Sequence, residues 1–244
     1  LIKLLDKDKY KIFYPTSKEL NITDFVCLRE YFRANKPNLV IHLAAITDVK
    51  ASEKHFISCL KVNIIGTCNI IECCEEQNIK LVHISTDHVF DGEKGNYKIT
   101  DAINPISKYA KSKTAGELAV RMYDNSLVIR TSFYGYNFPY EKAFIDQWSS
   151  KDYIDLIAPK ILEECLSNKI GILHVGNLNN VTRLHLEITL AESRSKLRNT
   201  FKLLSGIMSL EEKHNYLMSI ECKIVSISSR LSKIIFSGIL VRIV

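Results

Sequence analysis

A tyrosine and a lysine four positions apart, Tyr109 and Lys113, are the residues whose types and spacing most readily support chemistry. In a helix, side chains four positions apart project from the same face. An ammonium close to a phenol favours the phenolate and lowers the tyrosine pKa towards neutrality. The pair therefore predicts a proton donor or acceptor for the interconversion of a carbonyl and an alcohol. The spacing alone is a weak signal, since Tyr14 and Lys18 share it although Pro15 follows Tyr14 directly.

A threonine at the end of a predicted strand adds a second group to this pair. Thr86 lies in the sequence STDHVFDG (residues 85–92), which follows an apolar, β-branched run. A hydroxyl at the carboxyl end of a strand can hydrogen-bond the carbonyl oxygen that a tyrosine protonates. Another predicted strand ends in the small residues of segment 44–47, which allow a flat ligand to approach the backbone. These strand ends are therefore the places where we expect the chemistry.

The pattern of apolar residues predicts that these groups lie in an α/β fold. Within residues 1–177, short apolar runs alternate with segments of helical periodicity. Such alternation implies right-handed crossovers and a parallel sheet, with ligands bound at the carboxyl ends of its strands. The predicted strands are 11–15, 38–45, 80–86, 126–132 and 171–176, and the predicted helices are 23–35 with Thr23 as N-cap, 52–77, 107–123 and 151–167.

Residues 178–244 differ from the rest and are expected to form a divergent C-terminal region of irregular structure. They contain no proline, show poor periodicity and are rich in Ser, Lys, Arg and Ile. They also carry ten basic and five acidic residues, and so hold most of the net charge of +6. Because a nucleic-acid-binding surface should lie on the folded part of a protein, we expect no nucleic-acid partner.

Composition and the cysteine pattern argue against several other classes of protein. Hydrophobic residues make up 46% of the 244 residues and charged residues 25%, which is ordinary for a globular protein. The apolar run 234–244 is about half as long as a membrane span, so no membrane association is expected. The seven cysteines form no CxxC pair, which indicates reduced thiols and a cytoplasmic protein. No metal site is expected, and His42, His83 and His174 are interpreted as core histidines.

Several motifs occur in the same order in one known superfamily. They are NITD (21–24), LVIHLAAITDV (39–49), VNIIGTCNIIECC (62–74), LVHISTDHVFDG (81–92), YAKSKTAGE (109–117), VIRTS (128–132), DQWSSKDYIDLIA (146–158) and GILHVG (171–176). Through them the chain resembles the extended short-chain dehydrogenase/reductase superfamily and, within it, the dTDP-4-dehydrorhamnose reductase-like (RmlD-like) group. The resemblance implies a Rossmann-like, doubly wound parallel sheet over residues 1–177.

The resemblance assigns catalytic roles to Thr86, Tyr109 and Lys113. Tyr109 would donate the proton to a 4-keto sugar carbonyl as hydride arrives from nicotinamide. Lys113 would bind the nicotinamide ribose hydroxyls and lower the Tyr109 pKa, while Thr86 would polarise the carbonyl. Asp87 and Phe133, together with Thr86, match positions that contact the substrate.

The resemblance also implies a nicotinamide cofactor, either NADPH or NADH. Asn63 matches an asparagine near the cofactor phosphates, although a packing or capping amide is an equally open interpretation. The residues that match cofactor positions are Asn21 and Ile22 at the adenine end, Ala44, Ala45, Ile46 and Thr47 along the nicotinamide half, Asn63, and Tyr109 with Lys113.

The sequence departs from this family at its start and around the expected pocket. These folds place a strand and a glycine-rich turn before the first helix, so that the pyrophosphate lies at the helix N-terminus. No GxGxxG or GxxGxxG occurs here, so the first strand and its loop are expected to be missing, as in an N-terminally truncated protein. Asn21, His88 and Phe133 stand where the family usually has an acidic residue, a tyrosine and a tryptophan.

The favoured interpretation is an NAD(P)-dependent oxidoreductase that reduces the 4-keto group of a nucleotide-activated deoxy sugar, as in dTDP-rhamnose biosynthesis. A homodimer is also expected, because family members often pair through helices. Two alternatives stay open. The absent phosphate loop favours a non-catalytic binding or regulatory protein on the same scaffold, and the missing start with the unpatterned tail favours an inactive truncated product.

Overall fold

The computed structural model describes residues 1, 4–6, 8–135, 148–177, 181–182 and 239–243. The chain divides into two compact units. The first unit consists of Leu1–Thr131, Ala158–Val175 and Ile235–Val244, and the second of Ser132–Ile157 and Gly176–Ile234. The predicted division at residues 177 and 178 stays a prediction.

The described part of the chain contains the five strands that the sequence predicts and five further strands that it does not, one of which, Asp152–Tyr153, lies where the predicted helix 151–167 begins. The strands are β1 (Tyr10–Phe13), β2 (Leu39–His42), β3 (Lys80–Thr86), β4 (Ser126–Thr131), β5 (Phe133–Tyr134), β6 (Trp148–Ser149), β7 (Asp152–Tyr153), β8 (Gly171–Val175), β9 (Val181–Thr182) and β10 (Ile239–Ile243). The helices are α1 (Phe25–Asn35), α2 (Val49–Lys54), α3 (Phe56–Cys59), α4 (Thr67–Glu76), α5 (Lys108–Val120) and α6 (Ile154–Leu166). A π-helical segment, Leu60–Gly66, joins α3 to α4, and we call the continuous helix Phe56–Glu76 the central helix.

The first unit is built on a six-stranded sheet with the order β1-β10-β2-β3-β4-β8. Strands β2, β3, β4 and β8 pair in parallel, with His42 opposite His83 and Thr86 opposite Thr131. All residues of β2 and β4 are buried, as their nearly continuous apolar runs predict. The predicted Rossmann-like α/β fold is confirmed.

Strand β10 makes the sheet mixed, because it is antiparallel to both of its neighbours. Tyr10 of β1 pairs with Ile243, and Ile41 of β2 pairs with Ile239. In the usual order of a dinucleotide-binding sheet, the first strand lies between the second and the fourth. Strand β10 takes the corresponding place here, with the β-favouring sequence ILVRI. The C-terminal region, expected to be irregular, therefore contributes a regular strand, while residues 183–238 lie outside the described part.

The hydrophobic core of the first unit lies between this sheet and the helices. Two buried cysteines of α4, Cys73 and Cys74, belong to it and act there as small apolar side chains. The other buried members are Leu20, Ile22, Leu28, Phe32, Val40, Ala44, Ile70, Ile79, Leu81, Val120 and Val128.

The helix starts show where local chemistry overrides the predicted bounds. The N-cap of α1 is Asp24 rather than Thr23, because the Asp24 carboxylate accepts from the backbone N–H of Cys27 (3.1 Å). The predicted helix 52–77 begins earlier, at α2, and is interrupted at His55, whose backbone leaves the helical region. Helix α5 begins as predicted, with Ser107 accepting from Ala110 N (3.1 Å).

Helix α5 approaches the central helix closely at Gly116. A Cβ atom at this position would lie 2.4 Å from the carbonyl oxygen of Asn63. Only glycine therefore permits the observed spacing between the two helices. This contact sets how α5 packs against the central helix, and so where its side chains lie relative to the strand ends.

By length and composition, one helix of the described residues, Phe56–Glu76, could cross a membrane. The observation is weak, because a core helix of a water-soluble protein has the same character. Within this helix, Asn63 and Thr67 are buried and hydrogen-bonded to neighbouring parts of the first unit. The absence of a membrane partner stays a prediction.

The second unit contains two short strand pairs in its described residues. Strands β5 and β7 are parallel, with Phe133 opposite Asp152, and β6 and β9 are antiparallel. Asn177 connects the two chain segments of this unit. Its backbone N–H donates to Ser150 O (2.7 Å), and its Nδ2 donates to Asp152 Oδ2 (3.2 Å).

Candidate active site

Thr86 ends β3 and organises the turn that follows it. The side chain is buried, and its Oγ1 accepts a hydrogen bond from the backbone N–H of His88 (3.2 Å). The same hydroxyl donates to Asp87 Oδ1 (3.2 Å). A short 3₁₀ turn, Asp87–Val89, begins here with Thr86 as its N-cap. The hydroxyl is therefore held at the carboxyl end of the strand, where the sequence predicts it.

Tyr109 lies in the first turn of α5, with its phenol beside Thr86 and Asp87. Burial raises the pKa of the Tyr109 phenol above its ordinary value, while the Thr86 hydroxyl opposes this shift and the Asp87 carboxylate adds to it. The ring of His88 meets the Tyr109 ring edge-on, with centroids 5.9 Å apart. At neutral pH the phenol therefore keeps its proton and can donate it.

Lys113 lies one turn further along α5 and is also buried. Its Nζ donates to the carbonyl oxygen of Ile84 (2.8 Å) and lies 3.4 Å from Nε2 of His83. Burial lowers the pKa of Lys113 to about 8, and the Glu117 carboxylate opposes this shift. The amine is thus mostly protonated at neutral pH and loses its proton in mildly alkaline solution.

The three predicted catalytic residues lie together in the first unit, but their electrostatic coupling differs from the expectation. The Thr86 hydroxyl lies beside the Tyr109 phenol, whereas the Lys113 ammonium is bonded to β3. The expectation that Lys113 lowers the Tyr109 pKa is wrong for this structure, because burial raises that pKa and Lys113 is not among its causes. The catalytic assignment of the three residues stays a prediction.

Asn63 of the central helix holds the segment that follows β2. Its Oδ1 accepts from Ile46 N (2.8 Å), and its Nδ2 donates to Ile46 O (3.0 Å). The second N–H of the amide donates to Ser112 Oγ of α5 (2.9 Å). Because both N–H groups are used within the protein, the geometry favours a packing amide, and direct binding to a cofactor stays a prediction.

The segment 44–47 runs from the core to the surface over four residues. Ala44 is buried, Ala45 and Ile46 are half-buried, and Thr47 is exposed. Because the Asn63 side chain hydrogen-bonds both the N–H and the carbonyl oxygen of Ile46, this backbone is fixed at the end of β2. A flat ring could lie against it, but cofactor binding by these four residues stays a prediction.

Asn21 and Ile22 have structural roles before α1. The Asn21 side chain accepts from Thr23 N (3.1 Å) and from Thr23 Oγ1 (2.9 Å), which closes a turn. Ile22 is buried against the central helix, where a Cβ on Gly66 would lie 2.6 Å from its Cδ1. Their predicted place at the adenine end of a cofactor stays a prediction.

Sequence reasoning missed a buried ion pair on the face of α5 that carries Tyr109 and Lys113. The Glu117 carboxylate is 2.6 Å from Arg130 Nη2 of β4, and both side chains are almost fully buried. Its other oxygen accepts from Ser85 Oγ (2.6 Å), one residue before Thr86. The signal was present in the sequence, because Glu117 follows Lys113 at the same four-residue spacing that joins Lys113 to Tyr109.

His42 and His83 lie side by side on adjacent strands, both fully buried. Their ring centroids are 5.1 Å apart. Burial lowers the pKa of His42 to about 3, with a smaller contribution from the positive charge of Lys113. Burial also lowers the pKa of His83 well below its ordinary value, and Lys113 and His42 add to this shift. Both rings are therefore neutral at physiological pH.

The predicted substrate residues lie in different units. Asp87 follows Thr86 in the first unit, with its Oδ1 3.8 Å from His88 Nε2, and both side chains are half exposed. Phe133 belongs to β5 of the second unit and is exposed. Their contacts with a substrate stay predictions.

A cleft of about 700 Å³ in the first unit lies elsewhere, along the starts of β4 and β8. Its lining includes the loop 99–103, Arg121 and Arg130, and none of the predicted site residues. Within the described residues, no group of three or more His, Cys, Asp or Glu side chains could hold a metal ion.

Residues 1–158 match the sequence model of a family described as the RmlD substrate-binding domain. The match covers the segments that carry Thr86, Tyr109 and Lys113 and most of the parallel sheet. The chain belongs to the RmlD substrate-binding domain family. The resemblance inferred from the motifs is confirmed.

Two relatives of this RmlD-family chain are named as reductases of dTDP sugars. The dTDP-4-dehydrorhamnose reductase of Aggregatibacter actinomycetemcomitans is 35% identical over 164 residues, which are 65% of this chain and 55% of that enzyme. The dTDP-4-keto-6-deoxy-D-glucose reductase of Streptomyces niveus is 28% identical over 224 residues, 84% of this chain and 74% of that enzyme. The RmlD-family chain thus spans little more than half the length of the first of these relatives.

Solved structures of the RmlD family share this fold. The dTDP-4-dehydrorhamnose reductase of Bacillus anthracis, determined in complex with NADP, matches with a TM-score of 0.72 and 27% identity, over 79% of this chain and 75% of that chain. A hypothetical dTDP-4-dehydrorhamnose reductase of Sulfolobus tokodaii matches with a TM-score of 0.64 and 34% identity, over 72% of this chain and 68% of that chain.

Proposed function

We propose that this RmlD-family chain is an NAD(P)H-dependent reductase that acts on the 4-keto group of a nucleotide-activated deoxy sugar. The observation that carries the proposal is the buried Tyr109 phenol beside the Thr86 hydroxyl at the carboxyl end of β3, with Lys113 one helical turn away. The named activities of the relatives and the NADP bound to one neighbour support the same reaction class.

In this mechanism Tyr109 is the proton donor. Burial keeps its phenol protonated, so the proton is available for the oxygen of a carbonyl that lies next to Thr86. Thr86 Oγ1, which donates to Asp87 Oδ1 in the free protein, would turn its hydrogen to the same oxygen and orient it. A nicotinamide cofactor, when bound, supplies the hydride that the carbonyl carbon accepts. Lys113 is not among the groups that shift the Tyr109 pKa, and its ammonium instead offers a donor to the cofactor.

The residues of the first unit fit the nicotinamide end of such a cofactor. Ala44 and Ala45 leave room beside the fixed backbone of Ile46, and the Lys113 ammonium offers a donor for ribose hydroxyls. Asn21, Ile22 and Thr47 complete the proposed cofactor contacts, while Asn63 acts through Ile46. For the substrate, we assign the contacts to Thr86, Asp87 and Phe133.

The second candidate is a non-catalytic binding protein on the same scaffold. It is favoured by Asn63, which matches an asparagine near the cofactor phosphates but uses both of its N–H groups within the protein, on Ile46 O and Ser112 Oγ. Binding and turnover must therefore be measured separately.

The decisive experiment combines cofactor titration with a matched pair of tyrosine variants. NADH and NADPH are titrated against the purified protein by calorimetry, and turnover is assayed with a 4-keto-6-deoxy sugar nucleotide. Tyr109→Phe should abolish turnover and leave cofactor affinity nearly unchanged. Tyr14→Phe is the control, since Tyr14 has the same spacing to a lysine but is exposed.

Three results would contradict this proposal. Failure to bind either cofactor at millimolar concentration excludes the reductase and favours an inactive product or a protein that binds another ligand. Cofactor binding without turnover favours the binding protein, and unchanged turnover in Tyr109→Phe removes the proton-donor assignment.

We also propose that the protein forms a homodimer through the central helix and α5. Large apolar side chains are exposed on or near these two helices, and such exposed apolar surface is typical of protein–protein contacts. Replacing Leu118 and Met122 together by Glu should convert the dimer to a monomer in light scattering, whereas Val26→Glu, on α1, should not. The exposed apolar residues are Phe56, Ile57, Leu60 and Ile65 of the central helix and Leu118 and Met122 at the end of α5.

For its location, we propose the cytoplasm, with a nucleotide sugar as the partner and no nucleic acid or membrane. The six cysteines in the described residues are all free thiols, which suits a reducing compartment. Fractionation of cells that produce the tagged protein would test this, and recovery with the membranes would contradict it.

A further inference from the structure

Lys113 is held by an unusual set of neighbours on the strands below α5. The ammonium has three N–H groups, of which one donates to Ile84 O (2.8 Å) and another faces Nε2 of His83 (3.4 Å). His83 in turn lies against His42, and all three side chains are buried. A charged amine inside a protein needs acceptors, and both of these come from β3.

The hydrogen-bond chain fixes the tautomer of each imidazole. Thr67 Oγ1 donates its single hydrogen to Asn63 O (2.8 Å), so towards His42 Nε2 (3.0 Å) it can only accept. His42 therefore carries its hydrogen on Nε2. An ammonium has no acceptor, so Nε2 of His83 must accept from Lys113, and His83 carries its hydrogen on Nδ1.

We propose that His83 is a positioning residue for Lys113, holding the ammonium against the end of β3 through Nε2. The proposal rests on the proposed reductase function. With two N–H groups bound to Ile84 O and His83, one remains for a ligand at the site, which gives the lysine a single direction in which to donate. Leu, Phe or a protonated histidine at position 83 would remove this acceptor.

The charges around Lys113 are compatible with this role. Glu117, on the same helix, favours the ammonium, while Tyr109 stays protonated. From the strands, His83 on β3 and His42 on β2 face it as neutral rings. Arg130 of β4 is neutralised by Glu117, and Asp87 lies beyond Tyr109. Among the described residues, His83 is thus the neutral side-chain acceptor of the ammonium.

The test measures the Lys113 pKa directly, in protein labelled with ¹³C at the lysine Cε and without cofactor. His83→Leu should lower this pKa by about one unit, because a hydrogen bond to a charged group is lost. His83→Gln, whose amide oxygen replaces Nε2 as acceptor, should restore it. His42→Leu removes an equally buried ring that binds Thr67 instead, and should leave the Lys113 pKa within about 0.3 units.

A second measurement keeps the proposal testable if His83→Leu does not fold. In the unaltered protein, ¹⁵N shifts should show the hydrogen of His83 on Nδ1 and that of His42 on Nε2. A His83 hydrogen on Nε2, or a Lys113 pKa that is the same in His83→Leu and the unaltered protein, overturns the proposal. Cofactor titration of the same samples separates the two questions, since a Lys113 shift without NADPH binding refutes the reductase alone.

Discussion

The side chains of Tyr109 and Lys113 are both buried, and burial disfavours the charged form of each. For the phenol this means a raised pKa, and for the amine a lowered one. The four-residue spacing correctly predicts that both occupy one face of α5. It could not predict the partners of Lys113, because Ile84 O and His83 come from a strand whose register with the helix depends on tertiary packing.

We expect the reduction rate to be steady below pH 8 and to fall above it. The Lys113 ammonium is lost through its pKa of about 8, while the Tyr109 phenol remains protonated. The measurement is kcat/KM for the keto sugar between pH 6 and 10. Lys111→Gln changes an exposed lysine of the same helix and should show the same fall in rate above pH 8. The same fall in Lys113→Met would contradict the assignment of this pH dependence to Lys113.

Replacing Glu117 by Gln should destabilise the protein by about 3–5 kcal/mol, because Arg130 is left buried without its counter-charge. Urea unfolding measures the loss. The control is Glu53→Gln, which removes an exposed pair with Lys108 (3.8 Å) and should cost less than about 1 kcal/mol. Similar losses in the two variants would show that the Glu117–Arg130 pair is not as isolated from water as its burial indicates.

At the scale of elements, α5 is positioned by contacts at both of its ends. Ser107 caps its start, and Gly116 sets its distance from the central helix. The sequence predicts α5 and its cap well, since both depend on neighbouring residues. The break at His55 and the N-cap at Asp24 were missed because several polar residues in succession could cap each helix.

Gly116→Ala should destabilise the protein by about 1–3 kcal/mol, since the new methyl group meets the backbone oxygen of Asn63 and one of the two helices must move. Thermal unfolding is a sufficient measurement. Gly135→Ala adds the same methyl group where nothing lies within 4 Å, and its melting temperature should stay close to that of the unaltered protein. Equal melting temperatures for the two variants would refute the close approach.

For the whole molecule, two neutral imidazoles in the core make stability depend on pH. The folded pKa of His42 is about 3 and that of His83 is well below 6.5, so in acid the unfolded chain takes up protons that the folded chain cannot. Stability from this source is complete above pH 6.5 and declines as the pH falls. The parallel order of β2, β3, β4 and β8 could be predicted from apolar runs, whereas the burial of a histidine pair could not.

Between pH 6.5 and 4.5 the free energy of unfolding should fall by about 1.4 kcal/mol per pH unit for each of the two imidazoles. Urea titrations across this range give the slope. His42→Leu should remove about half of it, and His55→Gln, which alters an exposed histidine, should leave it unchanged. An undiminished slope in His42→Leu would assign the acid sensitivity to other groups.

The antiparallel strand β10 joins β1 to β2, although the partners Tyr10 and Ile243 come from nearly opposite ends of the sequence. The ribosome makes β1 and β2 long before β10, so β1 lacks its neighbour while the intervening chain is synthesised. During that interval the backbone of β2 is an open edge, to which another nascent chain can add. Yield in the cell should then depend on how quickly β10 emerges, and on chaperones that shield the edge until it does.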